Sequence, residues 1–368
     1  MADLTALTMP KWGLSMEEGT LASWHLAEGD AVNEGAEIAD IETSKLLNTL
    51  EARSPGTLLR LVAQEGETLP CGALIAVLGE AGTDAEAVDA FVASFEVVEP
   101  DAEDAEDGAS APAYRTAEVD GLTLHYAEAG EGDEVVLLLH GYGGDSGNWM
   151  FVSEELASVH RVIALDLPGH GGSDKALPGS GSLEDVAALV QAFIAAEGLG
   201  AVHLVGHSFG GAVAERVAAT GAARSLTLVA PLLPGAALDR GYIADFAAAR
   251  RKRELREVLT RLVADADSIS RDMVEDVLRT KRLDGVGEAL ARLGEVAGAI
   301  ANEAPRPPAT AALAIWGEAD RIILPPSGGN LGKGSTAVIV AGAGHLPHLE
   351  RAAETARLVR ANIAGERP

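Results

Sequence analysis

The chain has 368 residues, 28 Lys+Arg against 56 Asp+Glu, a formal net charge of −28 and a single cysteine. The length has room for two or three domains. The acidity excludes sequence-independent nucleic-acid binding and docking on an anionic membrane, which both need surplus cations. One cysteine excludes a disulfide framework or a cysteine-based zinc cage, and no metal site is expected. No apolar run approaches a membrane span, and the absence of a basic and apolar leader points to the cytoplasm.

Residues 1–80 carry 4 basic and 13 acidic residues and contain an internal repeat. A shift of 37 positions lays Gly19-Thr20-Leu21 on Gly56-Thr57-Leu58, Glu28-Gly29 on Glu65-Gly66, Gly35-Ala36 on Gly72-Ala73 and Ile38-Ala39 on Ile75-Ala76, with 9 identities in 21 positions. Both copies read as short strands broken by Glu-Gly turns, which predicts two small antiparallel sheets related by a pseudo-twofold axis. Between the copies lies Ile41-Glu42-Thr43-Ser44-Lys45-Leu46-Leu47-Asn48: a strand, a polar turn and a lysine at its tip. A lone lysine in a turn is ordinarily a solvated residue. At the centre of a repeat it becomes a candidate attachment point for an arm. Met9-Pro10-Lys11-Trp12-Gly13, Glu17-Glu18-Gly19 and Glu42-Thr43-Ser44-Lys45 resemble the lipoyl domain of 2-oxo-acid dehydrogenase complexes, over residues 4–80. The resemblance implies lipoic acid in amide linkage on Lys45. Ser44 departs from it, because Asp is usual there. The related biotinyl domain usually has Met beside its lysine, and none flanks Lys45. Cys71 is expected to be a small, semi-buried residue.

Residues 81–112 hold 10 acids and no base. Ala85 to Phe95 alternates apolar and acidic residues, as a short helix would. From Pro100 onward the segment is self-repelling and poor in apolar residues, which is the chemistry of a flexible linker.

From residue 113 to 368 the pattern changes. Leu122–Tyr126, Val135–Leu139, Val162–Leu165, Val202–Val205, Leu226–Val229, Ala312–Trp316 and Ala337–Val340 read as strands, with helical stretches such as Leu183–Glu197 between them. Near-continuous apolar strands alternating with helices predict a mostly parallel sheet covered on both faces. Gly206-His207-Ser208-Phe209-Gly210 is a G-x-S-x-G motif between a strand and a helix over Ala212–Ala219; a sharp turn that carries a nucleophile needs small residues two positions either side. Asp320 follows one late strand and His345 the next, in the order Ser, Asp, His. His140-Gly141-Tyr142-Gly143-Gly144 follows Val135–Leu139 as a candidate oxyanion loop. Together these motifs resemble the α/β-hydrolase superfamily over residues 113–368, so the fold expected for the chain is multidomain: a small all-β lipoyl domain, then an α/β-hydrolase fold. The resemblance implies Ser208 as nucleophile, His345 as base, Asp320 as its orienting acid, and the backbone N–H groups of Tyr142 and Phe209 as oxyanion donors.

His348 is a rival base and Glu318 a rival acid. The side chain of His207 is expected to point away from the triad. His140 and His170 are expected to be structural members of their glycine-rich turns, and the loop Asp166–Ser173 is assigned no chemistry. Residues about 233–308 are mostly helical and predict a cap over the site. The cap contains Arg250-Arg251-Lys252-Arg253 and Lys281-Arg282. These cations are either a solvated helix face or a docking point for an acidic lipoyl domain or for coenzyme A phosphates.

A thioester carrier joined to a serine acyl-transfer site resembles the acyltransferase components of bacterial acetoin dehydrogenases, over nearly the whole chain. The resemblance implies a multienzyme complex. A thiamine-diphosphate-dependent acetoin dehydrogenase component leaves acetyl on the arm of Lys45, the acyltransferase passes it to coenzyme A, and a dihydrolipoyl dehydrogenase reoxidises the arm. A flexible linker of 32 residues spans about 30 Å, enough for transfer within one chain. The H-x-x-x-D-G motif of the common acyltransferase components is missing, since His345 runs into Leu346-Pro347-His348-Leu349. No small basic subunit-binding domain is present either. A homo-oligomer or complex member is expected, without the usual trimeric core. Two alternatives stay open: a lipoyl-linked serine hydrolase (thioesterase, esterase or C–C hydrolase), and a carrier or scaffold whose hydrolase fold does no chemistry.

Overall fold

A computed structural model describes residues 4–10, 18–33, 35–42, 47–52, 54–95, 112–325, 331 and 334–366; Lys45 and the linker stretch 96–111 lie outside the described residues. The chain folds as two compact units.

The N-terminal unit contains β1 (Thr5–Thr8), β2 (Glu18–Trp24), β3 (Ala31–Val32), β4 (Glu37–Glu42), β5 (Leu47–Glu51), β6 (Gly56–Leu61), β7 (Thr68–Pro70), β8 (Leu74–Gly79) and α1 (Ala85–Ser94). Its two antiparallel four-stranded sheets have the orders β1-β8-β6-β3 and β5-β4-β2-β7. The 37-residue shift carries β2, β3 and β4 onto β6, β7 and β8, so the order β5-β4-β2-β7 maps onto β1-β8-β6-β3, equivalent strands hold equivalent places and the expected pseudo-twofold is real. Leu21, Ile38, Ile41, Leu58 and Ile75 are fully buried in this unit.

The two halves are stitched by reciprocal hydrogen bonds. Gly29 N donates to Leu58 O and Gly66 N to Leu21 O, both at 2.7 Å; Gly35 N donates to Ala52 O and Gly72 N to Met9 O, both at 2.8 Å. All four glycines have positive φ, which is why the turns take glycine. The glutamate before each of the first two turns does the same with its side chain: Leu61 N donates to Glu28 Oε1 at 2.8 Å and Trp24 N to Glu65 Oε1 at 2.9 Å. Strands β4 and β5 pair out to Glu42 opposite Leu47, leaving Thr43 to Leu46 as the connection, with Lys45 third of the four. α1 begins at Asp84, whose carboxylate accepts from Glu86 N, and Val88 packs on Leu74 and Val77 of β8. The first part of the acidic segment is thus a docked helix.

The C-terminal unit comprises β9 (Ala113–Val119), β10 (Leu122–Ala129), β11 (Val135–Leu139), α2 (Met150–Ala157), β12 (Arg161–Leu165), α3 (Leu183–Ala196), β13 (Val202–His207), α4 (Ser208–Ala218), β14 (Ala223–Val229), α5 (Arg240–Ala248), α6 (Lys252–Leu259), α7 (Arg271–Thr280), α8 (Val286–Asn302), β15 (Leu313–Gly317), β16 (Thr336–Val340), α9 (Pro347–Glu350) and α10 (Ala352–Ile363). The eight-stranded sheet runs β9-β10-β12-β11-β13-β14-β15-β16, parallel from β12 onward and antiparallel at the β9-β10-β12 edge. The edge strand β9 has no apolar run to announce it, because most of its side chains are exposed. β11 is buried at all five residues, as a strand covered on both faces must be. The chain leaves β11 to one side for β12 and later returns to its other side with β13. That reversal opens a crevice at the carboxyl ends of the central strands. Helices α5 to α8 fill the segment between β14 and β15. Buried Glu215 of α4 ties their exit down, accepting from Arg216, Arg306 and Ala309 N. Among the described residues no helix is long and apolar enough to cross a membrane.

Because Leu21 and Leu58 occupy equivalent, fully buried places in the two sheets, Leu21→Ala and Leu58→Ala should each cost about 2–5 kcal/mol. Amide hydrogen exchange on the full chain should lose protection in both β2 and β6 for either substitution. Loss confined to the mutated sheet would contradict the stitched arrangement.

Candidate active site

The site is built on the turn from β13 into α4. All six residues of β13 are buried, and Ser208 follows with φ of 51°, a left-handed conformation costly for a non-glycine residue. The motif glycines permit this turn by contact. A Cβ on Gly206 would stand 2.4 Å from Gly210 O, and one on Gly210 would stand 2.3 Å from His140 O. The helix starts at Ser208 itself, earlier than the expected Ala212, so Phe209 N lies among the unpaired amides of its first turn. Ser208 is 7% exposed.

Asp320 follows β15 and His345 follows β16, and they meet: His345 Nδ1 donates to Asp320 Oδ2 at 2.8 Å. The other oxygen of Asp320 accepts from Ile322 N at 2.8 Å and Ile323 N at 3.0 Å, which orients the carboxylate. Both side chains are buried. Among the described residues no hydrogen bond joins Ser208 Oγ to His345; bonds of this type commonly tighten only when substrate binds. The link between the two loops is His207. Contrary to expectation its side chain turns toward the triad, with its ring centroid 4.8 Å from that of His345 and Nε2 donating to His345 O at 2.9 Å. The reason is the same turn. At the end of β13 the side chain of His207 passes beneath Gly141, where a Cβ would come within 2.6 Å of His207 Nδ1.

The loop after β11 faces Ser208, since a Cβ on Gly141 would lie 3.1 Å from Ser208 Cβ. Neither Tyr142 N nor Phe209 N donates to a protein acceptor among the described residues. Two histidines shape this loop. His140 donates from Nδ1 to Gly141 O and accepts Leu167 N on Nε2. His170 donates to Pro168 O and accepts Gly143 N. Burial holds both rings neutral, and pushes His170 down to about 3. Asp166 braces the same region, accepting from His125, Ser146 N and Gly172 N. The sequence offered no signal for what α5 and α8 contribute to this loop. Tyr142 Oη donates to Leu290 O on α8, and the Phe246 ring of α5 fills the space beside Gly143, where a Cβ would meet it at 2.5 Å.

Neither rival takes part in the His345–Asp320 pairing. Glu318 is exposed. His348 is fully buried, its ring tilted against those of Trp149 and His207 with centroids 4.5 Å and 4.4 Å away, and neither ring nitrogen is hydrogen-bonded among the described residues. Burial, then the nearby His345, pushes His348 down to about 3. Among the described residues no group of three His, Cys, Asp or Glu could hold a metal ion. Lys45 itself lies outside the described residues.

Residues 136–358 match the Alpha/beta hydrolase family, and residues 5–78 match the family described as Biotin-requiring enzyme. The chain is 41% identical over 367 residues to the dihydrolipoyllysine-residue acetyltransferase component of the acetoin cleaving system of Cupriavidus necator, covering 98% of this chain and 97% of that one. The component of the same name from Pseudomonas putida is 42% identical over 365 residues, covering 96% of each. Among solved structures, the meta-cleavage product hydrolase of Pseudomonas fluorescens IP01 superposes with a TM-score of 0.61 at 21% identity, over 68% of this chain and 97% of that one; the likeness is one of fold.

The depressed pKa of His348 makes a prediction about acid. Between its ordinary value of 6.5 and about 3, the unfolded chain binds a proton that the folded chain cannot, so stability falls as pH drops through that window. At pH 5 the penalty is about 2 kcal/mol for this one ring. His348→Phe should be near neutral at pH 7 and should gain most of that amount at pH 5, measured by denaturant unfolding. An equal effect at both pH values would contradict a buried neutral imidazole.

Proposed function

The chain belongs to the dihydrolipoyllysine-residue acetyltransferase components of acetoin cleaving systems, and on that premise we propose that it carries acetyl on a lipoyl group at Lys45 and transfers it to coenzyme A through Ser208. A lipoyl group on Lys45 would supply a dithiol on a long arm and present acetyl to this site as a thioester substrate. Ser208 Oγ attacks the thioester carbonyl carbon while His345 Nε2 takes the hydroxyl proton. Asp320 holds the imidazole by Nδ1 and stabilises its positive charge. The amides of Phe209 and Tyr142 hold the oxyanion. Collapse of the adduct breaks the C–S bond, and the departing carrier thiol takes the proton from His345. The coenzyme A thiol then gives its proton to His345 and attacks the acetyl-serine. Ser208 recovers the proton as acetyl-coenzyme A leaves.

The observation that carries this reading is the His345–Asp320 pair at 2.8 Å beside a serine in left-handed conformation, on the same chain as the Lys45 hairpin. The partners that fit are a thiamine-diphosphate-dependent enzyme that loads the arm and a dihydrolipoyl dehydrogenase that reoxidises it, in the cytoplasm and within an oligomeric complex.

Mass spectrometry of the peptide holding Lys45 should find it lipoylated, and acetylated on the arm after incubation with the thiamine-dependent partner and acetoin. An unmodified lysine would end the carrier role. Ser208→Ala should lower acetyl-coenzyme A formation by at least about 10³-fold; full activity would end the acyl-serine route. Acetate as the product, in the presence of coenzyme A, would make the chain a hydrolase.

A further inference from the structure

The cap's basic run divides into cations with partners and cations without. Arg251 faces Glu254 at 3.6 Å, Arg253 faces Glu257 at 3.1 Å, and Lys252 pairs with Glu275. Those three behave as a solvated helix face. Arg250 and Lys281 do not. Among the described residues no carboxylate lies within ion-pair distance of either, in a chain with twice as many acids as bases. Arg250 spends its guanidinium on Ala247 O and Ala249 O, and Lys281 spends its ammonium on Phe246 O and on the Phe246 ring, 4.2 Å from the centroid. Both charges therefore sit on the C-terminal turn of α5. A helix end offers about half a negative charge, so two full cations leave a surplus. Burial, then the like charge of Arg250, pushes the Lys281 amine down to about 8, as expected of a cation lacking a counter-ion.

The location is specific. The ring under Lys281 is the one that packs beside Gly143 of the oxyanion loop. The surplus charge is thus one aromatic ring away from where an acyl carbonyl would bind. A thiol acceptor entering there would carry its phosphates on an arm longer than that gap.

We propose that Arg250 and Lys281 are the seat for the phosphate groups of coenzyme A. This rests on the reading of the chain as an acetyltransferase that uses coenzyme A. The acidic lipoyl unit is the less suitable occupant, because Lys281 is half-buried on Phe246 and offers its charge to a small anion rather than to a protein face.

The test is equilibrium binding by calorimetry on the full chain, with coenzyme A and with pantetheine, which has the thiol arm but no phosphate. Arg250→Gln and Lys281→Met should each weaken coenzyme A binding about ten-fold, the loss of one charge-assisted bond, and lower the coenzyme A-to-pantetheine affinity ratio by the same factor. Arg250→Lys should restore most of it. Unchanged coenzyme A affinity in Arg250→Gln, which alters an exposed residue, would overturn the seat. So would equal weakening toward both ligands, which would signal a damaged pocket. The unsubstituted protein, assayed in parallel, separates this outcome from failure of the acetyltransferase reading. Acetyl-coenzyme A production with a substitution-insensitive affinity removes only the seat, whereas acetate production with a substitution-sensitive affinity removes only the reading.

Discussion

Three backbone segments approach one another around Ser208 more closely than any side chain would allow. Gly206 abuts the Gly210 carbonyl, Gly210 abuts the His140 carbonyl, and Gly141 lies over His207 and Ser208. Holding a serine at φ 51° costs about 1–3 kcal/mol, and only a well-packed frame can sustain it. The frame here is a fully buried β13 between two parallel neighbours. Everything else in the site follows from that crowding. It sends the His207 ring under the oxyanion loop to meet the His345 carbonyl, and it leaves the Phe209 amide at the open end of α4. It also lets the Tyr142 loop face Ser208.

Five histidines crowd this region, and their environments give them different roles. His140, His170, His207 and His348 are buried, each has a pKa lowered chiefly by burial, and each serves as a neutral packing or hydrogen-bonding group. His345 alone among them has a carboxylate on its ring. An imidazolium formed there meets neutral rings rather than rival cations. His345 is thus set apart as much by its neutral neighbours as by the Asp320 bond.

The parts of this organisation that were legible in the sequence are those written in local pattern. The 37-residue repeat, the apolar strands and the G-x-S-x-G turn each reflect a nearby backbone requirement, and the order of Asp320 and His345 after two strands follows from the sheet. What was not legible depends on contacts distant in sequence. His207 was expected to point away from the triad; its direction is decided by Gly141, some 66 positions earlier. The Phe246 ring on the oxyanion loop carries no motif, and neither does the Tyr142 bond to Leu290 across 148 positions. β9 was missed because an exposed edge strand needs no apolar run. The basic run over Arg250–Arg253 looked uniform in sequence, and only the placement of Glu254, Glu257 and Glu275 separates its members.

The reciprocal stitching of the N-terminal unit has an implication for its origin. Each half's glycine turns donate to the other half's strands, and each half's glutamate reaches across in the same way. A single half would carry those donors with no acceptor of its own. It could complete its fold only against a second identical copy, exchanging the same bonds across a true twofold axis. Joining two such copies end to end turns a symmetric dimer into one chain, and the junction between them is the segment that holds Lys45. Lys45 then falls in the stretch of sequence that joins β4 to β5, between the two equivalent halves.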